Sequence, residues 1–147
     1  MVFVPRQPLP HEVPPWVKSG SLYFFTLCAA DRAHAALTAP DRAAVLLNAA
    51  RHYHDKGRWF VRIFLLMPDH LHALIVFPSA ESIKSCWRDW KRFTAKNADV
   101  VWQRDFFEHR IRNDENWQEK SDYIRANPVR QGLVSDATLW PWIFENT

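Results

Sequence analysis

WFVRIFLLMPDHLHALIVF, residues 59–77, carries the clearest structural signal in the chain. Two apolar runs, 59–66 and 70–77, flank Met67-Pro68-Asp69. Runs of this length, rich in β-branched and aromatic residues, read as strands, and a proline followed by an aspartate reads as a tight break. The two strands are therefore expected to lie antiparallel as neighbours. Residues two apart on a strand share a face. His70 and His72 then lie on one side, while Leu71, Ala73, Ile75 and Phe77 form a reverse face expected to pack.

Outward from this pair, SLYFFTLC at 21–28 reads as a buried first strand. Pro40 to Lys56 reads as a helix, with proline in its first turn, Val45, Leu46 and Ala49 as an apolar stripe and Gly57 at its end. On the other side, Ser79 to Asn97 is a second helix with Ile83, Trp87 and Trp90 buried. Asp105 to Arg112 alternates as a fourth strand, with Phe107, His109 and Ile111 on one face. Asn113 or Asp114 can cap a third helix running to about Ala126 and closed by Pro128. Trp140-Pro-Trp-Ile-Phe is an apolar tail expected to dock on the body. The order predicts an α+β fold: a four-stranded antiparallel sheet with helices on one face, a ferredoxin-like or RRM-like sandwich. Residues 1–20 read as an extended Pro-rich arm, and 21–147 as one domain.

Composition narrows the function classes. The 147 residues are 48% hydrophobic, which excludes a disordered chain. No apolar run approaches the ~20 residues of a membrane span, and Met1 to Pro15 lacks a signal-peptide stretch. A cytoplasmic protein without a membrane partner is expected. Cys28 and Cys86 form neither a disulfide framework nor a zinc motif, and both are expected to be reduced and packed. A net charge of +3 favours a polyanionic partner only weakly. Eight Trp and ten Phe suit stacking on unpaired bases, although most must be core.

Two His-x-His pairs occur, and secondary structure separates them. His52 and His54 fall on a helix, where two positions span about 200°, so they are poor co-ligands and read as a solvated helix end. His70 and His72 open a strand and can reach one ion, or be two structural histidines. A third ligand could come from three places. His109 alternates with Phe107 and Ile111 and reads more simply as a core histidine, and Asp69 is equally explained by turn chemistry. Asn127 follows Tyr123 by one helical turn. Tyr123 itself falls in a polar stripe with Asn116, Glu119, Lys120 and Asn127, whereas Trp117, Ser121 and Ile124 would face the sheet. An unactivated phenol is a weak nucleophile, and a divalent ion polarising a phosphate can compensate. The alternative is an interfacial tyrosine with no catalytic role.

These residues resemble a known family. MPDHLHALIVF, 67–77, resembles the histidine–hydrophobic–histidine (HUH) motif of single-tyrosine transposases. SDYIRANPVRQGLV, 121–134, is similar to the nucleophile helix of their REP-associated branch, and VWQRDFFEHRIRNDENW, 101–117, resembles the segment before it. The residue before the first histidine is Asp69, where the family usually has Asn. The resemblance, from about residue 21 to 142, implies an RRM-like sandwich in which Tyr123 forms a 5′-phosphotyrosine link and releases a 3′-OH. It implies that His70, His72 and Asn127 bind Mg²⁺ or Mn²⁺. It also implies single-stranded DNA from REP palindromes, recognised as a hairpin with a short flanking tetranucleotide, and a monomer or homodimer.

Several basic residues are candidates for holding that DNA. Lys84, Arg88, Lys91, Arg92 and Lys96 line the second helix and read as a phosphate track or a solvated basic face. Arg125 and Arg130 flank the tyrosine, and Arg6 lies in the arm. The competing class is a domesticated module that grips hairpin DNA without cutting. A histidine-triad hydrolase is disfavoured because the third alternating position is Leu74.

Overall fold

The structure, a computed structural model, describes residues 13–18, 20–112 and 116–146. Its strands and α-helices are β1 (Ser21–Cys28), α1 (Pro40–Asp55), β2 (Phe60–Leu66), β3 (His70–Phe77), α2 (Ser82–Ala98), β4 (Phe107–Arg110), α3 (Trp117–Arg130) and β5 (Ile143–Glu145). Within the stretch expected to be an extended arm, Pro15–Val17 instead form a 3-10 turn that buries Val17 against Phe60 and Val76. The strands form one sheet in the order β4-β1-β3-β2-β5, and every neighbouring pair is antiparallel. The first four strands are the expected sandwich. The fifth comes from the apolar tail, which docks by pairing Ile143–Glu145 with Ile63–Leu65 on the outer edge of β2. This pairing satisfies backbone groups that an edge strand would otherwise leave open. Trp140 pins the tail, its indole Nε1 donating to the Leu66 carbonyl at 3.0 Å.

The helices are shared between the two faces of the sheet rather than confined to one. α1 and α2 cover the face carrying Phe25, Leu71, Ala73, Ile75 and Phe77, where Trp59, Trp87 and Trp90 are fully buried. α3 covers the opposite face, burying Ile124 against Ile63, Leu65 and Leu74. The reason lies in β2 and β3, which are apolar on both sides. A register shift between Val61 and Ile63 helps β2 supply both layers, Val61 and Phe64 to one and Ile63 and Leu65 to the other.

Helix ends follow local chemistry. Asn116 caps α3, its side chain accepting from Gln118 N–H at 2.9 Å. Asn113 and Asp114, the expected caps, lie outside the described residues. α3 does not stop before Pro128 but runs on to Arg130. Proline removes one backbone donor and biases its predecessor against the helix, yet here the helix continues on a buried base of Ile124, Asn127 and Pro128. It ends one turn beyond Ala126 in a Schellman motif, with Leu133 N–H on Pro128 O and Gly132 N–H on Val129 O, and Gly132 at φ +73. The extra turn carries Asn127 and Arg130 as part of the same rigid helix as Tyr123.

His54 also departs from expectation. It is not solvated: its Nδ1 accepts from Val61 N–H at 3.0 Å, and its ring packs against Phe60 and Phe144. Burial lowers its pKa. His52 is exposed, so the pair does not form a site.

Candidate active site

His70 and His72 open β3, and the register places Thr26 of β1 opposite His72. Both histidines lie on the sheet face covered by α3, with ring centroids 4.7 Å apart. Each ring is fixed through Nδ1. His70 Nδ1–H donates to Asp69 Oδ1 at 2.6 Å, and His72 Nδ1 shares a 2.9 Å hydrogen bond with Thr26 Oγ1. Asp69 Oδ2 in turn accepts from Arg32 Nε at 2.9 Å. Burial opposes ionisation of Asp69, but the hydrogen bonds from His70 and Arg32 outweigh it and hold the carboxyl below its ordinary range. Orienting a histidine from behind in this way leaves Nε2 as the nitrogen for a metal.

Burial pushes the pKa of His72 down to about 4, with repulsion from His70 and Arg130 adding to it. The ring is therefore neutral at pH 7, the form that ligates. Two fixed imidazoles suit a transition-metal ion such as Mn²⁺ better than Mg²⁺, which prefers oxygen. Among the described residues, no group of three or more His, Cys, Asp and Glu side chains is arranged to hold a metal. Asp69 is committed to His70 and Arg32. His109 is exposed on β4 rather than a core histidine, and β1 separates it from β3. Asn127, expected on the same polar face as Tyr123, is instead buried at 5% exposure, on the side of α3 that also buries Ile124, and its Oδ1 accepts from Arg130 Nη2 at 3.2 Å. Arg130 also acts electrostatically on His72.

Tyr123 is 54% exposed on α3, as its polar stripe predicted. It lines an open cleft of about 600 Å³ together with Thr26, His72, His109 and Lys120. The fold thus brings the tyrosine and the strand histidine, 51 positions apart in sequence (123 − 72), to one solvent-accessible site. The Arg130 guanidinium stacks over the Tyr123 ring at 4.0 Å.

The basic candidates divide. Arg130 stands against Tyr123, whereas Arg125 is tied to Asp122 and to Glu145 of β5. Lys84, Arg88, Lys91, Arg92 and Lys96 sit on α2, which packs on the other face of the sheet. Lys91 of this row donates to the carbonyls of Gln103 and Arg104. Arg6 lies outside the described residues. Sequence reasoning missed Thr26, Arg32, Phe24 and the exposure of Phe107. β1 read as uniformly buried, and Arg32 lies in a loop without periodicity. Only the spatial pairing of β1 with β3 and β4 reveals them.

The chain has relatives among known proteins. The chain is 30% identical over 130 residues to the REP-associated tyrosine transposase of Escherichia coli strain K12, covering 86% of this chain and 77% of that protein. A Haemophilus influenzae protein provisionally described as a REP-associated tyrosine transposase is 29% identical, over 84% of this chain and 78% of its own length. A solved structure of a REP-associated tyrosine transposase bound to a REP hairpin superimposes with a TM-score of 0.74 at 28% identity, over 84% of this chain and 76% of that one. No family model matches. No helix among the described residues is long and apolar enough to cross a membrane. On this relationship, the chain belongs to the REP-associated tyrosine transposases.

Proposed function

We propose that this protein cuts and rejoins single-stranded DNA beside REP-type palindromic hairpins, with Tyr123 as nucleophile. The observation that carries the reading is the exposed Tyr123 in one cleft with His72. The hairpin bound to the solved relative supports the substrate class. In the reaction, Tyr123 Oη gives up its proton to solvent and attacks phosphorus. The P–O3′ bond breaks, the 3′-oxygen leaves and takes a proton, and a 5′-phosphotyrosine remains. An incoming 3′-OH reverses the step and joins strands, with no external energy source, because the phosphodiester is exchanged rather than hydrolysed.

His70, His72 and Asn127 would hold Mn²⁺ or Mg²⁺. The bound ion supplies polarisation of the scissile phosphate and charge neutralisation as the new bond forms. Asp69 and Thr26 keep the two imidazoles aimed into the site. Arg130 places a planar guanidinium beside the nucleophile, where it can pair with a phosphate oxygen. The α2 row lies away from the cleft, and its place is on stem phosphates remote from the cut. The protein would act in the cytoplasm, where the chromosome is accessible.

The test is a denaturing gel of protein with palindromic single-stranded DNA and Mn²⁺. Wild type is expected to give cut product and a slow-migrating adduct. Tyr123→Phe should give neither while still shifting the hairpin on a native gel, and His70→Ala should lose metal-dependent cutting. Undiminished cutting by Tyr123→Phe would remove the tyrosine from the mechanism.

A further inference from the structure

Phe107 is 60% exposed although it stands on a strand of the sheet. It does not belong to either packed layer. Thr26 pairs with Phe107 on one side and with His72 on the other, so Phe107, Thr26 and His72 form one cross-strand row on the same face. Strand spacing puts Phe107 roughly 10 Å from His72 along that row. α3 buries the neighbouring residues Leu74 and Ile111 but leaves this row open.

The ring is also braced. Phe24 meets it edge-on, with centroids 6.3 Å apart and planes at 74°, and Phe24 in turn packs against His72 at 5.6 Å. Phe24, Phe107 and His72 all line the cleft that holds Tyr123. The cleft offers Lys120 for a phosphate beside this aromatic floor. A rigid, half-exposed aromatic next to a cation is the arrangement that takes a flat, uncharged face joined to an anion, namely a nucleobase on its phosphate.

We propose that Phe107 is the stacking platform for an unpaired base next to the phosphate that Tyr123 attacks. The inference deepens the strand-cutting reading and rests on it: the platform holds the single-stranded flank, not the hairpin stem, and sets how the scissile phosphate is presented. Phe107 is a positioning residue, since it touches a base of the substrate but no reacting atom.

The experiment uses the full chain in EDTA, so that binding is measured without cutting. Fluorescence anisotropy compares a bare hairpin with the same hairpin carrying a single-stranded flank. Phe107→Ala should weaken the flanked hairpin roughly 5- to 100-fold, the loss of one base–aromatic stack, and leave the bare hairpin unchanged. Phe107→Trp should restore binding. Removing the base at one flank position should weaken wild type to a similar degree and abolish any further loss from Phe107→Ala. Equal weakening of both DNAs, no change with the flanked one, or no restoration by Phe107→Trp would overturn the proposal. The covalent-adduct assay separates the two readings. Wild type without an adduct but with the flank-specific loss defeats cutting and leaves the platform standing. An adduct without that loss does the reverse.

Discussion

Arg130 and Tyr123 are held as a stacked pair about two helical turns apart, the guanidinium carbon 4.0 Å from the ring centroid and Nη2 donating to the Tyr123 carbonyl at 2.9 Å. The same group donates to Asn127 Oδ1. One cation thus touches the proposed nucleophile and a proposed metal ligand. Arg130→Ala should slow adduct formation about 10- to 100-fold, the order expected when a charge-assisted hydrogen bond to a phosphate is removed. Arg130→Lys should recover little, because an ammonium neither stacks as a plane nor forks. Single-turnover kinetics at saturating DNA check this, and full activity in Arg130→Ala would remove the residue from the site.

Asp69 fixes His70 from behind, and Arg32 fixes Asp69. Loss of a partner at this position typically costs about 10- to 100-fold in metal affinity. Asp69→Ala should weaken Mn²⁺ binding by that order in isothermal titration. Asp69→Asn should fall in between, since the amide oxygen can still accept from His70 Nδ1–H but carries no charge. Unchanged affinity in Asp69→Ala would show that the carboxylate is not orienting a ligand.

Folding stability without metal should fall on acidification from neutral pH. His72 titrates at about 4 in the folded chain and near its ordinary ~6.5 when unfolded. Between these values the unfolded state binds more protons, so the stabilisation is complete above pH ~6.5 and is lost as pH falls towards ~4. At pH 5 the loss from this group is about 2 kcal/mol. His54 contributes in the same direction, because burial lowers its pKa too. Urea unfolding in EDTA at pH 7 and pH 5 should show a smaller pH difference for His72→Gln than for wild type; an equal difference would contradict the shift.

The basic row on α2 should govern affinity rather than chemistry. Replacing Lys84, Arg88 and Arg92 by Ser should weaken hairpin binding and flatten its salt dependence by ~0.9 in log–log slope for each phosphate no longer neutralised. The adduct rate at saturating DNA should stay the same, because α2 packs across the sheet from the cleft. A drop in that rate would place the row at the cut.

Much of this was legible in the chain. Alternation in 70–77 put His70 and His72 on one face, opposite Leu71 and Ala73, and the fold has them so. The polar stripe of α3 marked Tyr123 as exposed. Alternation also put Phe107, His109 and Ile111 on one side, but only Ile111 is buried. Period says which residues share a face and not whether another element covers it. For the same reason the sequence did not reveal that α3 crosses to the opposite face from α1 and α2. Pro128 looked like a stop because local sterics disfavour helix before proline, while burial of Asn127 and Pro128 decides otherwise. β5 spans three residues, too few for a pattern, and exists because β2 has an open edge to pair with.

Mass spectrometry of the adduct after trypsin digestion puts the role of Tyr123 to the sharpest test. Cleavage after Lys120 and Arg125 yields Ser121-Asp-Tyr-Ile-Arg125, a peptide in which Tyr123 is the one aromatic residue. After reaction with palindromic DNA and Mn²⁺ and trimming by nuclease, this peptide should carry a 5′-nucleotide on Tyr123. Cut DNA with the peptide unmodified, or the nucleotide on another residue, would contradict the assignment of Tyr123 as nucleophile.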